Sequence, residues 1–158
     1  MIFGMTVFTL VHVLISLIGI AAGLAVVFGM IDNNRMDAVT RIFLLFTVLT
    51  SVTGFLFPIT KLTPALILGA ISLGVLAIAL AARYAFAMQG TWRWIYVVTA
   101  VAAQYFNSFV LVVQSFLKIP ALHALAPQGS EPPFAIVQGA VLIFYIVAGF
   151  FAVRRFRP

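Results

Sequence analysis

Five long stretches of this 158-residue chain contain no charged residue. A helix needs about 20 mostly apolar residues to cross the hydrocarbon core of a bilayer, and each stretch is about that long or longer. They cover residues 1–31, 42–60, 62–82, 94–117 and 132–153. The pattern predicts an all-α membrane protein, a single bundle of five transmembrane helices over residues 1–158. The expected spans are approximately 5–30, 41–59, 63–84, 93–117 and 133–153.

The composition excludes a soluble globular domain. Hydrophobic residues make up 65% of the chain and charged residues only 8%, whereas soluble domains carry roughly 25% charged residues. The net charge of +6 does not indicate a nucleic-acid partner, because the basic residues mark the ends of apolar runs instead of forming one patch. The chain contains no cysteine, which excludes disulfides, thiolate metal sites and cysteine nucleophiles.

The basic residues are distributed unequally between the two sides that five spans create. One side carries only Lys61 and Lys118. The other side carries Arg35, Arg41, Arg83, Arg93, Arg154, Arg155 and Arg157. Because Lys and Arg are enriched in cytoplasmic loops, we expect the C-terminus in the cytoplasm and the N-terminus outside. The first apolar run has no basic leader and is too long for a signal peptide, so we expect it to be a retained helix.

Large polar side chains recur at helical spacing on the predicted helices. In lipid such side chains turn toward other helices. At 1.5 Å of rise per residue, His12 would lie about 9 Å below the outer surface, with Gln114 and Gln138 at similar depth. Gln104 and Asn107 continue this line toward the middle of the membrane. These five residues predict an outward-opening polar pocket, and a closed hydrogen-bonded core is the alternative.

The connector 119–131 lies on the same predicted side as this pocket. Pro120 can start a short helix and Pro127 can end it. His123 and Glu131 would then lie near the pocket mouth. The alternative is a plain interfacial connector with no part in binding.

No catalytic or metal-binding motif is present in the sequence. It contains no Walker A motif, no H-E-x-x-H and no carboxylate pair, and Asp32, Asp37 and Glu131 are all expected in loops. The lone intramembrane histidine suits a quinone or lipid head group better than haem. Two haem-ligating histidines would require His123 to fold inward, or His12 to pair with its copy in a dimer.

Several segments carry a resemblance to a known group of proteins. These are residues 105–114, 120–127 and 131–134, together with the ending 154–158. They resemble uncharacterised small multi-pass proteins of bacterial inner membranes. The resemblance implies a location in the bacterial cytoplasmic (inner) membrane and implies no activity.

Three functions are consistent with these features. The first is a non-enzymatic subunit of a membrane assembly, with other transmembrane subunits or further copies of the chain as partners within the lipid bilayer. The second is a membrane-embedded binder of a quinone, lipid or haem. The third is a passive channel or carrier for a small neutral solute.

Overall fold

A computed structural model describes residues 6–158, which form six α-helices and contain no strand. The helices are α1 (Val7–Ile31), α2 (Asp37–Gly54), α3 (Pro64–Leu80), α4 (Thr91–Lys118), α5 (Pro120–Leu125) and α6 (Pro132–Arg155). A π-helical turn, Ala81–Ala85, extends α3. All of these except the short α5 are long and apolar enough to cross a membrane. The prediction of a five-helix bundle is therefore confirmed.

The helix ends follow local chemistry. The Thr63 hydroxyl accepts a hydrogen bond from the Leu66 N–H at 3.4 Å, and Pro64 occupies the first turn of α3. Helix α2 ends at Gly54, five residues before the expected boundary at 59. Pro58 disfavours helical conformation at the residue before it, so the chain leaves the helix early. The expected start of the first span, residue 5, lies outside the described residues.

The five long helices form a ring. Each helix packs on the next in the order α1, α2, α3, α4 and α6, and α6 returns to α1. Helix α4 also contacts α1 across the middle of the ring. We call the side with residues 55–63 and 119–131 the lysine end. The side with residues 32–36, 86–90 and 156–158 is the arginine end.

A buried hydrogen-bonded cluster joins α1, α4 and α6 in the centre of the bundle. The Gln104 side chain is fully buried, and its Nε2 donates to the Ile20 carbonyl at 2.9 Å and to the Tyr145 hydroxyl at 3.1 Å. Ser108 Oγ lies 2.8 Å from the same hydroxyl. These bonds give the amide group the partners that lipid cannot supply.

Gly23 leaves the space that Gln104 fills. A Cβ at position 23 would lie 2.5 Å from Gln104 Cδ and 2.8 Å from Phe43 Cδ2. A glycine Cα hydrogen occupies that direction and faces Gln104 Oε1, which has no other partner among residues 6–158. Such Cα–H···O contacts recur where helices approach closely. Gly23 is therefore a packing requirement of α1.

The arginine end contains a buried cation. Arg83, in the π-helical turn, is only 3% exposed and forms an ion pair with Asp37. Its guanidinium carbon lies 5.1 Å from the centre of the Tyr96 ring, and its Nη2 donates to the Arg35 carbonyl at 3.5 Å. The sequence analysis treated Arg83 as a boundary charge and Asp37 as a loop residue. Instead, Asp37 begins α2, and its half-exposed carboxylate pairs with the buried Arg83 guanidinium.

A second arginine completes this end. Arg93 Nη1 donates to the carbonyls of Val153 and Phe156, at 2.8 Å each. The last carbonyls of a helix lack partners within the helix. Arg93 therefore caps α6 and fixes its end against the start of α4.

Substituting Gly23→Ala should destabilise the bundle by about 1–3 kcal/mol, because the added methyl group overlaps the Gln104 side chain. Thermal unfolding in mild detergent would measure the change. Gly74→Ala is the matched control, since a Cβ at position 74 meets no atom within 4 Å. Equal melting temperatures for the two variants would contradict this role of Gly23.

Substituting Asp37→Asn should lower the melting temperature of the bundle, because it leaves a buried guanidinium without its counter-charge. Arg35→Gln removes the other partner of Asp37, a pair exposed on both sides, and should lower the melting temperature less. The same unfolding assay compares them. A larger loss in Arg35→Gln would show that the buried pair does not stabilise the bundle.

Candidate functional site

A cavity of about 560 Å³ lies between α1, α2, α3 and α4 at the lysine end. Its walls are mostly apolar, with Phe55, Phe106 and Leu68 among the lining residues. Lys61 and Lys118, both exposed, lie at its rim. Asn107 lies about 16 Å from Lys118 along α4, so the cavity reaches well into the helical bundle.

His12 lines this cavity from α1 and is held in a defined orientation. Its Nδ1 lies 2.7 Å from Thr53 Oγ1, and the Thr53 hydroxyl in turn donates to the Leu49 carbonyl at 2.7 Å. The Phe57 ring meets the imidazole edge-on, with ring centres 5.1 Å apart. Because the Thr53 proton is already engaged, Nδ1 is assigned as the protonated nitrogen. The other ring nitrogen, Nε2, is then a hydrogen-bond acceptor.

Four hydroxyl side chains also line the cavity but have no proton left for a ligand. Each donates to the backbone carbonyl four residues earlier in its own helix, at distances of 2.8–3.1 Å. They are Ser16, Thr50, Ser51 and Ser115. This internal bonding is the usual behaviour of Ser and Thr inside helices.

Two amides on α4 retain hydrogen-bonding capacity. Asn107 is buried, and its Nδ2 has no partner among residues 6–158. Gln114, half-buried about two helical turns away, makes no side-chain hydrogen bond within the same residues. The Asn107 Nδ2 atom is itself buried, but the side chains of Asn107 and Gln114 both line the cavity. The site therefore combines two amide groups on α4 with an acceptor on α1.

The structure separates the five predicted pocket residues into two groups. His12, Asn107 and Gln114 lie together in the cavity wall. Gln104 lies in the central cluster, and Gln138 is buried where α6 meets α4, with its Nε2 donating to the Phe109 carbonyl at 3.2 Å. Helix α6 is absent from the cavity because it packs on another face of α4.

The predicted mouth residues, His123 and Glu131, do not line the cavity. His123 is exposed on α5, and the Glu131 carboxylate accepts hydrogen bonds from the Gln128 and Ser130 N–H groups, both at 3.0 Å. These bonds, that of Gln128 first, lower the pKa of Glu131 from its ordinary value of 4.5. Glu131 therefore stabilises the turn that precedes α6.

Sequence reasoning missed the contribution of α3 and of the two lysines. It assigned no pocket residue to α3 and treated the lysines as boundary markers, but Ser72 and Gly69 of α3 line the cavity and the lysines flank its opening. The unequal distribution of Lys and Arg between the two ends was the sequence feature that could have indicated a distinct role for the lysines. In residues 6–158 no three His, Asp or Glu side chains cluster as metal ligands. His12 and His123 are not brought together in one cavity.

Comparison with known proteins adds no family to this description. No family model, no curated protein and no solved structure matches the chain. The resemblance to small multi-pass proteins of bacterial inner membranes stays a prediction. The function must be argued from the geometry of the cavity.

Proposed function

We propose that this chain is a membrane-embedded binding protein whose cavity takes an amphipathic molecule with a carbonyl-bearing head. The observation that supports it is a mostly apolar cavity of about 560 Å³ whose wall carries the oriented imidazole of His12 and the amides of Asn107 and Gln114. Small-molecule sites commonly have this size, with mostly apolar walls and a few placed polar groups. The cavity fits the second of the three predicted functions.

The polar side chains of the cavity wall determine which head group a ligand can have. The Asn107 and Gln114 amides in the wall can bond to a carbonyl or hydroxyl group, and His12 Nε2 can accept from a hydroxyl. A quinone and its reduced form present these groups, and an acyl lipid presents its ester carbonyl. Haem fits less well, because His12 is the only histidine in the cavity wall. The apolar part of the ligand would lie against the phenylalanines and leucines of the wall.

The channel hypothesis receives less support from the packing. Beyond the cavity, toward the arginine end, the centre of the bundle is filled by fully buried side chains. They include Phe43, Leu44, Leu76, Tyr96 and Val97. A continuous polar path through a single chain would have to displace this core.

The fold is also compatible with the hypothesis that the chain is a subunit of a membrane assembly. The exposed apolar faces of the helices would be covered equally well by lipid or by partner helices. Binding and assembly are also compatible, since a ligand site can lie inside a subunit. A bacterial inner membrane, with the arginine end in the cytoplasm, is part of the proposal. The cavity would then open toward the outer leaflet.

Binding should be detectable on protein purified in mild detergent. We expect mass spectrometry of the extract to show one enriched quinone or acyl lipid, at about one molecule per chain. Asn107→Leu and His12→Phe should each weaken its retention about tenfold, since each removes a buried hydrogen bond of about 1–3 kcal/mol. A short-tailed benzoquinone and a monoacylglycerol, added separately, would test which class raises the melting temperature.

His123→Phe is the matched control, because it removes the exposed histidine that does not line the cavity. Its retention of the small molecule should equal that of the unmodified chain. An extract with no enriched molecule, together with no thermal shift from either probe, would refute the proposal. Stoichiometric partner chains on such an empty protein would support the subunit hypothesis instead.

A further inference from the structure

A second concave surface lies on the outside of the bundle, between α4 and α6. It has a volume of about 540 Å³, and its lining is apolar apart from the hydroxyls of Tyr105 and Tyr145 and the guanidinium of Arg154. Val98, Ala102 and Tyr105 form one wall at helical spacing, and Leu142, Ile146 and Phe150 form the other. This surface, called the α4–α6 groove below, is separate from the cavity at the lysine end.

Small residues make the groove deep. Gly149 faces Val101, and a Cβ there would lie 3.4 Å from Val101 Cγ1. Ala102 lies on the facing helix and also lines the groove. Because neither residue projects a long side chain, the space between the two helices stays open to the outside of the bundle.

The length of the groove matches one leaflet of a bilayer. From Leu142 to Arg154 it runs about 18 Å along α6. Half of the hydrocarbon core of a bilayer is about 15 Å thick. The groove therefore extends from the arginine end to about the middle of the membrane.

An extended hydrocarbon chain is narrow enough to lie in the α4–α6 groove. The match to the length of one leaflet and the arginine at the end of the groove favour a lipid tail as the occupant over a helix of another protein or of a second copy.

The charge at the arginine end selects the head group. Arg154 ends the groove, and its guanidinium carbon lies 4.6 Å from the centre of the Phe150 ring. Among residues 6–158 it has no carboxylate partner, because the ion pairs there use Asp37 with Arg35 and Arg83. Guanidinium groups bind phosphate oxygens well, so Arg154 at the end of the groove favours an anionic lipid.

We propose that the α4–α6 groove binds one anionic phospholipid, with an acyl chain along Ala102 and Gly149 and the phosphate at Arg154. This lipid is distinct from the ligand of the cavity. Its binding does not depend on His12 or Asn107, which lie in the cavity between α1 and α4.

Native mass spectrometry tests this site on the full chain in mild detergent. The probes are phosphatidylglycerol and phosphatidylcholine with identical acyl chains, titrated separately. We expect one phosphatidylglycerol to bind more tightly than phosphatidylcholine. Arg154→Gln should weaken phosphatidylglycerol binding about fivefold, which is the effect of about one basic residue at an anionic lipid surface. Gly149→Leu should abolish the tightly bound lipid by filling the groove.

Two control variants separate this site from general attraction to arginine. Arg155→Gln removes the adjacent charge, whose guanidinium lies over Phe151 outside the groove, and should leave affinity nearly unchanged. Gly139→Leu places the same side chain elsewhere on α6, where a Cβ meets no atom within 4 Å. Equal losses in Arg154→Gln and Arg155→Gln would overturn the proposal, as would retention of the lipid in Gly149→Leu. A dimer or a partner chain lost only in Gly149→Leu would also overturn it, because a helix would then occupy the groove.

Discussion

The bundle depends on the requirement that buried polar groups find partners inside the protein, since the hydrocarbon core supplies none. Gln104 meets this requirement by bonding to a backbone carbonyl of α1 and to the Tyr145 hydroxyl of α6. One side chain of the central helix thereby fixes the distances between three helices. Gly23 is the counterpart of this contact, because any larger residue would hold α1 away from α4. The close approach of α1 and α4 is thus set by hydrogen bonding together with a missing side chain.

The two ends of the bundle differ in how closely they are packed and in how their polar groups find partners. At the arginine end, Arg83 is buried against Tyr96 and pairs with the half-exposed Asp37, and Arg93 caps the last carbonyls of α6, so this end is tightly closed. At the lysine end, α2 stops at Gly54 and the chain crosses to α3 without regular structure. Fewer helical residues are available there to fill the space between α1 and α4. The cavity lies where the bundle is filled least.

The number of helices could be predicted because charge-free runs long enough to span a membrane are few and distinct in this sequence. The inward direction of His12, Asn107 and Gln114 also followed from helical spacing. The position of Gln138 did not, because depth in the membrane does not show which helices are neighbours, and α6 packs away from the cavity. The burial of Arg83 also could not be predicted from the sequence, because it depends on the carboxylate of Asp37, which lies 46 residues earlier in the chain.

The contrast between Gln104 and Asn107 explains why one buried amide is structural and the other marks a candidate site. Both have an unpartnered atom among the described residues. The unpaired Gln104 oxygen faces the Gly23 Cα hydrogen in close packing, where no molecule could enter. The unpaired Asn107 nitrogen belongs to a side chain in the wall of an open cavity, beside the oriented imidazole of His12. An amide side chain that lines such a cavity can bond to water or to a ligand that enters it. Because most of the wall is apolar, water alone would fill this space poorly, whereas an amphipathic molecule would cover the wall and accept the hydrogen bond at once.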